Sequence, residues 1–330
     1  MISLLKCFLG MLISFILALI IGFILIPKLK KFKANQTLSI YLEERHSEKK
    51  GTPTLGGLIF ILSSLITLLI MAIFNKVEFT YNLLIVLITF ILYGLIGFLD
   101  DYLIIKKHDN KGLTERQKLI LQIIVATIFF ALFLLGGNEP LIWIHTLNIK
   151  INIGFLYGFF IMFVLVSSSN AVNITDGLDG LAGGLSFIAL IAFGILANYS
   201  SWIDGNATIG LFLFILAGGV LGFLYFNSHP AKVFMGDTGS LALGATLGAT
   251  SIVTRHELLL VLIGIVFVIE TLTCIIQRFY YKRTHKRLFK MTPIHHAFEK
   301  SGWNEVEIVR LFWIIAIIAS LIAVSFGVFL

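Results

Sequence analysis

The sequence holds only two cysteines, Cys7 and Cys274, and both fall inside long apolar runs. A disulfide framework and a thiolate metal site are therefore excluded. Charge is scarce as well: Asp, Glu, Lys and Arg make up 13% of the 330 residues, against 58% hydrophobic residues, and the mean hydropathy is +0.97. These values lie outside the range of a soluble globular domain. No tandem repeat, low-complexity tract or separate soluble segment is present, and neither is a Walker-type phosphate loop, a GxGxxG following a strand or the acid spacing of an EF-hand. The first apolar run, Cys7 to Pro27, has no Ala-x-Ala cleavage pattern and is too long for a signal peptide, so it reads as a helix.

What the sequence does hold is apolar runs near the ~20 residues that cross a bilayer. They are Met1–Pro27, Leu55–Phe74, Asn82–Leu99, Leu119–Gly136, Gly154–Ser169, Leu181–Asn198, Ala207–Phe226, Ser240–Thr254, Leu258–Phe279 and Ile308–Leu330. The expected fold is therefore all-α: one transmembrane domain over residues 1–330 with about ten membrane-spanning helices. Lys and Arg sort unevenly among the connections, with nineteen after the odd-numbered runs and three after the even-numbered ones. Because cytoplasmic loops retain positive residues, both termini are expected outside and the odd loops in the cytoplasm. The net charge of +7 needs no nucleic-acid partner, since it is this orientation signal together with attraction for anionic lipid or phosphate.

Each odd loop carries an unusual polar string. In order they are HSEKKGTPTLGG (His46–Gly57), GFLDDYL (Gly97–Leu103) with KKHDNKG (Lys106–Gly112), NAVNITDGLDG (Asn170–Gly180), KVFMGDTGS (Lys232–Ser240) and MTPIHHAFE (Met291–Glu299). Singly, most have ordinary readings. Asp237 stands where a helix N-cap is expected, Asn173, Asp176 and Asp179 alternate with glycines as in a turn, Lys49 and Lys50 mark the cytoplasmic side, and His295 and His296 read as solvated loop residues. Asp100 and Asp101 fit least well, because they close an apolar run where the negative end of a helix disfavours each acid by roughly 0.3–1 kcal/mol. Together the five aspartates, with lysine and histidine donors on the same side, suggest a site for phosphate and a hard cation. Mg²⁺ suits one or two carboxylates plus substrate phosphates. Zinc does not fit, since His295 and His296 are adjacent and lack i, i+4 spacing.

The strings KKGTPTLGG, DDYL, NAVNITDGLDGLAGG, KVFMGDTGSLALG and PIHHAFE, in this order and on alternate loops, resemble the phospho-N-acetylmuramoyl-pentapeptide transferase family over essentially the whole chain. That family commonly has a third histidine where Ala297 stands. The resemblance implies a multi-pass enzyme of the bacterial inner (cytoplasmic) membrane, with its active site on the cytoplasmic face. Its partners would be UDP-MurNAc-pentapeptide, undecaprenyl phosphate and membrane lipid, with homodimer formation left open. It further implies Asp237 as the Mg²⁺ ligand and Asp100/Asp101 as a base and its electrostatic partner. Asn173, Asp176 and Asp179 would hold the nucleoside diphosphate, Phe234 with neighbouring Gly236 would face uracil, Lys49 and Thr54 would add polar contacts, and Lys111, His295 and His296 would lie near phosphates.

A polyprenyl-phosphate GlcNAc-1-phosphate transferase is the alternative enzyme, though it would be expected to lack PIHHAFE. A secondary transporter would place its charges near the bilayer midplane. Here nearly all polar residues lie in loops, except Glu270, which is expected to face the bundle or a kink rather than lipid.

Overall fold

The computed structural model describes residues 4–32, 49, 51–107, 112–144, 149–199 and 206–329. Twelve helices and one hairpin follow in the order α1 (Leu4–Lys31), α2 (Gly57–Ile73), α3 (Tyr81–Lys107), α4 (Glu115–Leu135), β1 (Leu141–Ile144), β2 (Ile149–Asn152), α5 (Leu156–Thr175), α6 (Leu181–Tyr199), α7 (Asn206–Asn227), α8 (Gly236–Val253), α9 (Glu257–Ile263), α10 (Ile265–Thr284), α11 (Ile294–Lys300) and α12 (Glu305–Phe329). Seven of these helices are long and apolar enough to cross a membrane, or eight if the bent pair α9–α10 counts as one. The protein is an all-α polytopic membrane protein. Each expected apolar run has a helix within it, although α2 has 17 residues and α8, rich in Gly, Ala and Thr, has 18.

Helices α7 and α8 form the centre, buried on almost every side. Around them α1 buries a row of small residues, Cys7, Gly10, Ser14, Ala18 and Gly22, at the three- and four-residue spacing of one helix face. Its opposite face leaves Leu5, Phe8, Leu12, Ile16 and Phe23 exposed, as a lipid-facing surface requires. Small residues also let α2 and α3 approach α8 closely: a Cβ added at Gly57 would lie 2.4 Å from the Gly239 Cα, and one at Gly97 would lie 2.0 Å from the Asp237 carbonyl oxygen. One helical turn past Gly97 stands Asp101, so this contact delivers the aspartate pair to the start of α8.

Three expectations change. The helix carrying Asp100 and Asp101 does not end there but runs on to Lys107, because the residues after the pair, Tyr102 to Ile105, continue the helix without a breaker. The pair is held by neighbours, described below, rather than by a helix end. The expected span Leu258–Phe279 is broken, with α9 and α10 bent by 82° at Gly264, a residue with little helix preference. A two-stranded antiparallel hairpin, pairing Leu141 with Asn152 and Ile144 with Ile149, fills a connection expected to be plain loop.

That hairpin is tied down by a buried ionic cluster at its end of the bundle. Arg255, in the left-handed region at φ 61°, donates from Nη1 to the Leu141 carbonyl at 2.7 Å and from Nη2 to the Glu139 carbonyl at 2.7 Å. It also donates to the Tyr157 hydroxyl at 3.2 Å, and that hydroxyl donates to Glu257. Removing the cation leaves Glu257 buried and unbalanced. Arg255→Leu should therefore destabilise the protein by about 3–5 kcal/mol, read as a lowered thermal midpoint in detergent. An unchanged midpoint would show that the cluster is not a structural clamp.

Candidate active site

The expected site residues come from five elements that meet at one end of the bundle. Backbone pairing sets the frame: the Gly56 N–H donates to the Phe234 carbonyl at 2.8 Å, the Gly57 N–H to Met235 at 2.9 Å and the Phe234 N–H to Pro53 at 2.8 Å. The TPTLGG and KVFMGD strings are thus laced together, which buries Thr54 beside Gly236. Gly236 has φ 73°, and a Cβ there would lie 2.5 Å from both the Asp101 Oδ2 and the Thr54 Oγ1. The position demands glycine twice over, for conformation and for space.

Asp237 is not the N-cap expected from sequence. Helix α8 begins at Gly236 with Met235 at the cap position and no side-chain capping bond, so Asp237 lies within the first turn. The free N–H groups of that turn are satisfied from another helix. Asp101 accepts from the Asp237 N–H at 3.2 Å, the Thr238 N–H at 2.9 Å and the Thr238 hydroxyl at 2.6 Å. A carboxylate at a helix N-terminus is stabilised by both the hydrogen bonds and the helix field. With its backbone held this way, the Asp237 side chain turns to Lys118, with which it forms an ion pair, and to the Asn173 amide, which donates at 2.7 Å. Asn173 also donates to Ser240 at 2.9 Å.

Asp100 faces the other way. Its carboxylate accepts from the Leu113 N–H at 2.7 Å and lies 3.2 Å from the Lys118 ammonium. Lys118 thus bridges Asp100 and Asp237, which sequence reasoning missed because it counted this lysine among the orientation markers. The available signal was the Thr114–Gln117 capping box, which starts α4 and sets Lys118 in its first turn.

A second group adjoins the first. Lys49 lies 2.8 Å from Asp179 and 2.6 Å from Glu305 at the start of α12. Asp179 also meets His229 Nδ1 at 3.1 Å and the Ala231 N–H at 3.0 Å, and its own N–H donates to Glu305 at 2.6 Å. Asp179, His229 and Glu305 are close enough together to hold a cation, but the Lys49 ammonium already lies against both acids. Glu305 and His229 are further residues that sequence reasoning missed, since an acid at a helix start and a histidine before proline carry no local signal.

Asp176, just past α5, links the two groups. Burial, and then the negative charges of Asp237, Asp101 and Asp179, push its carboxyl up to about 7 against the opposing pull of Lys49. Phe234 is partly exposed. Lys111 lies outside the described residues. The histidines are not solvated loop residues: both are buried in the first turn of α11. His295 Nδ1 lies 3.1 Å from Glu270, itself fully buried, and its Nε2 abuts Gly177 next to Asp176. His296 Nδ1 meets Glu299 at 2.5 Å. Glu270 therefore faces the bundle, as expected.

A membrane bundle that gathers five aspartates and Glu305 against Lys49 and Lys118 at one end defines a class: a polytopic membrane protein with a charged, acid-rich site at one end of its helices. The comparisons with known proteins specify it. The family model for glycosyl transferase family 4 matches residues 83–255. The phospho-N-acetylmuramoyl-pentapeptide-transferase of Listeria monocytogenes serotype 4b (strain CLIP80459) is 45% identical over 318 residues, covering 96% of this chain and 97% of that protein. Those of Staphylococcus carnosus (strain TM300) and Staphylococcus epidermidis (strain ATCC 35984) are 47% and 48% identical over 319 and 320 residues, covering 96% and 95% of this chain and 98% of each protein. The chain belongs to the phospho-N-acetylmuramoyl-pentapeptide transferases of glycosyl transferase family 4.

Gly236→Ala should keep the bundle folded while driving Asp101 and Thr54 apart. Its turnover is expected to fall by at least ~100-fold, the scale of losing a positioned transition-state group, and its thermal midpoint to drop, since alanine is strained at this positive φ. Near-parental turnover would mean that the Asp101–Gly236–Thr54 contact is not needed.

Proposed function

We propose that the protein transfers phospho-MurNAc-pentapeptide from UDP-MurNAc-pentapeptide to undecaprenyl phosphate, giving lipid I and UMP at the cytoplasmic face of the bacterial inner membrane. The observation that carries the reading is the Lys118 bridge between Asp100 and Asp237, with Asn173 on the second oxygen of Asp237. It sits in a chain whose relatives at 45–48% identity carry that transferase name. The excess of carboxylates over lysines fits Mg²⁺, a hard cation that takes oxygen ligands. Asp237 would hold it, with Asp100 alongside. When bound, the ion neutralises charge on the diphosphate.

The chain's own groups divide the remaining work. Asp101 is committed to three donors from α8 and acts as the positioning member of the pair. Asp100, with a single backbone donor and the Lys118 ammonium, is the member able to take a proton from the phosphate oxygen of the lipid. Lys118 then offsets charge on the phosphates, as phosphoryl transfer requires positioning and charge neutralisation above all. Asn173, Asp176 and Asp179 hold the nucleoside diphosphate, with Lys49 and Thr54 adding polar contacts and Phe234 stacking on uracil. His295, enclosed by Glu270 and Gly177, fixes the Asp176 turn against α11, and His296 would join it near the phosphates.

All ten runs cross the membrane in this reading, with both termini outside, as the nineteen-to-three distribution of Lys and Arg supports. In a cysteine-free background, a cysteine at Lys286 should resist an impermeant thiol reagent in intact cells and react after lysis. Labelling in intact cells would reverse the orientation.

The chemical test measures UMP release by purified protein from UDP-MurNAc-pentapeptide, undecaprenyl phosphate and Mg²⁺. Asp237→Asn keeps the side-chain shape and should fold normally, but lose at least ~100-fold in turnover. Activity near the parent's would remove Asp237 from the cation site, and turnover with UDP-GlcNAc alone would reject the pentapeptide substrate.

A further inference from the structure

Between the second half of α10 and α11 lies a cavity of about 520 Å³ that neither group of site residues occupies. Its volume suits a sizeable organic group, within the roughly 300–1,000 Å³ of small-molecule sites. Its wall carries three cations, Arg278, Arg287 and Lys300, and no acid. Among the described residues none of the three forms an ion pair with a carboxylate.

The segment bearing Arg287 is folded rather than loose. Gln277 on α10 accepts from the Leu288 and Phe289 N–H groups, both at 3.0 Å, which pins the chain just after Arg287 against α10. Lys290 donates to Ser301 at 3.0 Å, tying the same segment to the end of α11 next to Lys300. The cavity is also continuous in sequence with the site. Thr292 lines it, and His295, three residues on, packs against Gly177 beside Asp176. The Glu270–His295 contact joins α10 to the same point.

We propose that this cavity binds the carboxylates of the peptide carried by the sugar nucleotide. The inference rests on the transferase reading above. A pentapeptide bears at least one free carboxylate, its C-terminus, and that group lies on the part of the substrate remote from the diphosphate. It must leave the aspartate-rich cleft, where it would be repelled, and the α10–α11 cavity is the adjoining space lined with unpaired guanidinium groups. Arginine forks match carboxylates through two parallel N–H bonds. The plainer reading, that Arg278, Arg287 and Lys300 are orientation markers or contacts for anionic lipid, predicts no dependence on the peptide.

The experiment compares the parent with Arg278→Gln/Arg287→Gln and with Lys300→Gln. All three side chains are exposed, so folding should be unaffected. KM for UDP-MurNAc-pentapeptide should rise about tenfold or more in the double variant with kcat held within about twofold, the pattern of lost substrate binding. KM for undecaprenyl phosphate should not change. In calorimetric titrations, UDP-MurNAc without a peptide should bind parent and variants alike. Unchanged KM for the pentapeptide nucleotide, equal weakening for the peptide-free nucleotide, or a rise confined to undecaprenyl phosphate would each overturn the proposal. Failure of the parent itself to use the pentapeptide nucleotide would reject the transferase reading, and with it this occupant.

Discussion

The contact on which the functional end of this protein depends is that of the Asp101 carboxylate with the first turn of α8. It meets two backbone N–H groups and the Thr238 hydroxyl in a buried setting. An acid there would be strongly destabilised without such donors, and the N-terminal turn of α8 would leave its N–H groups unsatisfied without the acid. Each group compensates the other. The arrangement requires α3 to come within backbone distance of α8, which Gly97 permits, and the chain to turn sharply at Gly236. Once it is made, the Asp237 side chain is aimed away from its own helix towards Lys118 and Asn173.

The second constraint is electrostatic. At the opposite end, Arg255, Glu257 and Tyr157 satisfy one another and hold a hairpin in place. At the active end the aspartates outnumber the lysines, and Asp176 is pushed up to about 7 by burial and then by its acidic neighbours. In the transferase reading proposed above, that surplus would be offset by a cation and the phosphates that arrive with it. The α10–α11 cavity has the reverse sign, lined by Arg278, Arg287 and Lys300 and by no acid.

Much of this was legible in the sequence. The apolar runs located each long helix, because a chain in lipid must satisfy its backbone internally, and the polar strings named most of the residues now found together. Other features left little trace. In the run Leu258–Phe279 only Gly264 and Glu270 hinted at a break, and neither gave the 82° bend. Asp100 and Asp101 looked like the end of a helix because hydrophobicity stopped, whereas the helix itself continued. The Thr114–Gln117 capping box placed Lys118 at a helix start but not against Asp100 and Asp237, and Glu305 resembled any acid at a helix start. Their roles come from distant partners, 119 residues away for Lys118–Asp237 and 256 for Lys49–Glu305. Local pattern carries no information at that separation.

The central claim is that Asp237 and its surroundings form a cation site coupled to a diphosphate. The most direct measurement is the binding of Mn²⁺, a paramagnetic stand-in for Mg²⁺, to the purified protein with UDP-MurNAc-pentapeptide present. The account predicts one tightly bound ion per chain in the parent, lost in Asp237→Asn and retained in Arg255→Leu at the far end. Undiminished Mn²⁺ binding in Asp237→Asn would contradict it.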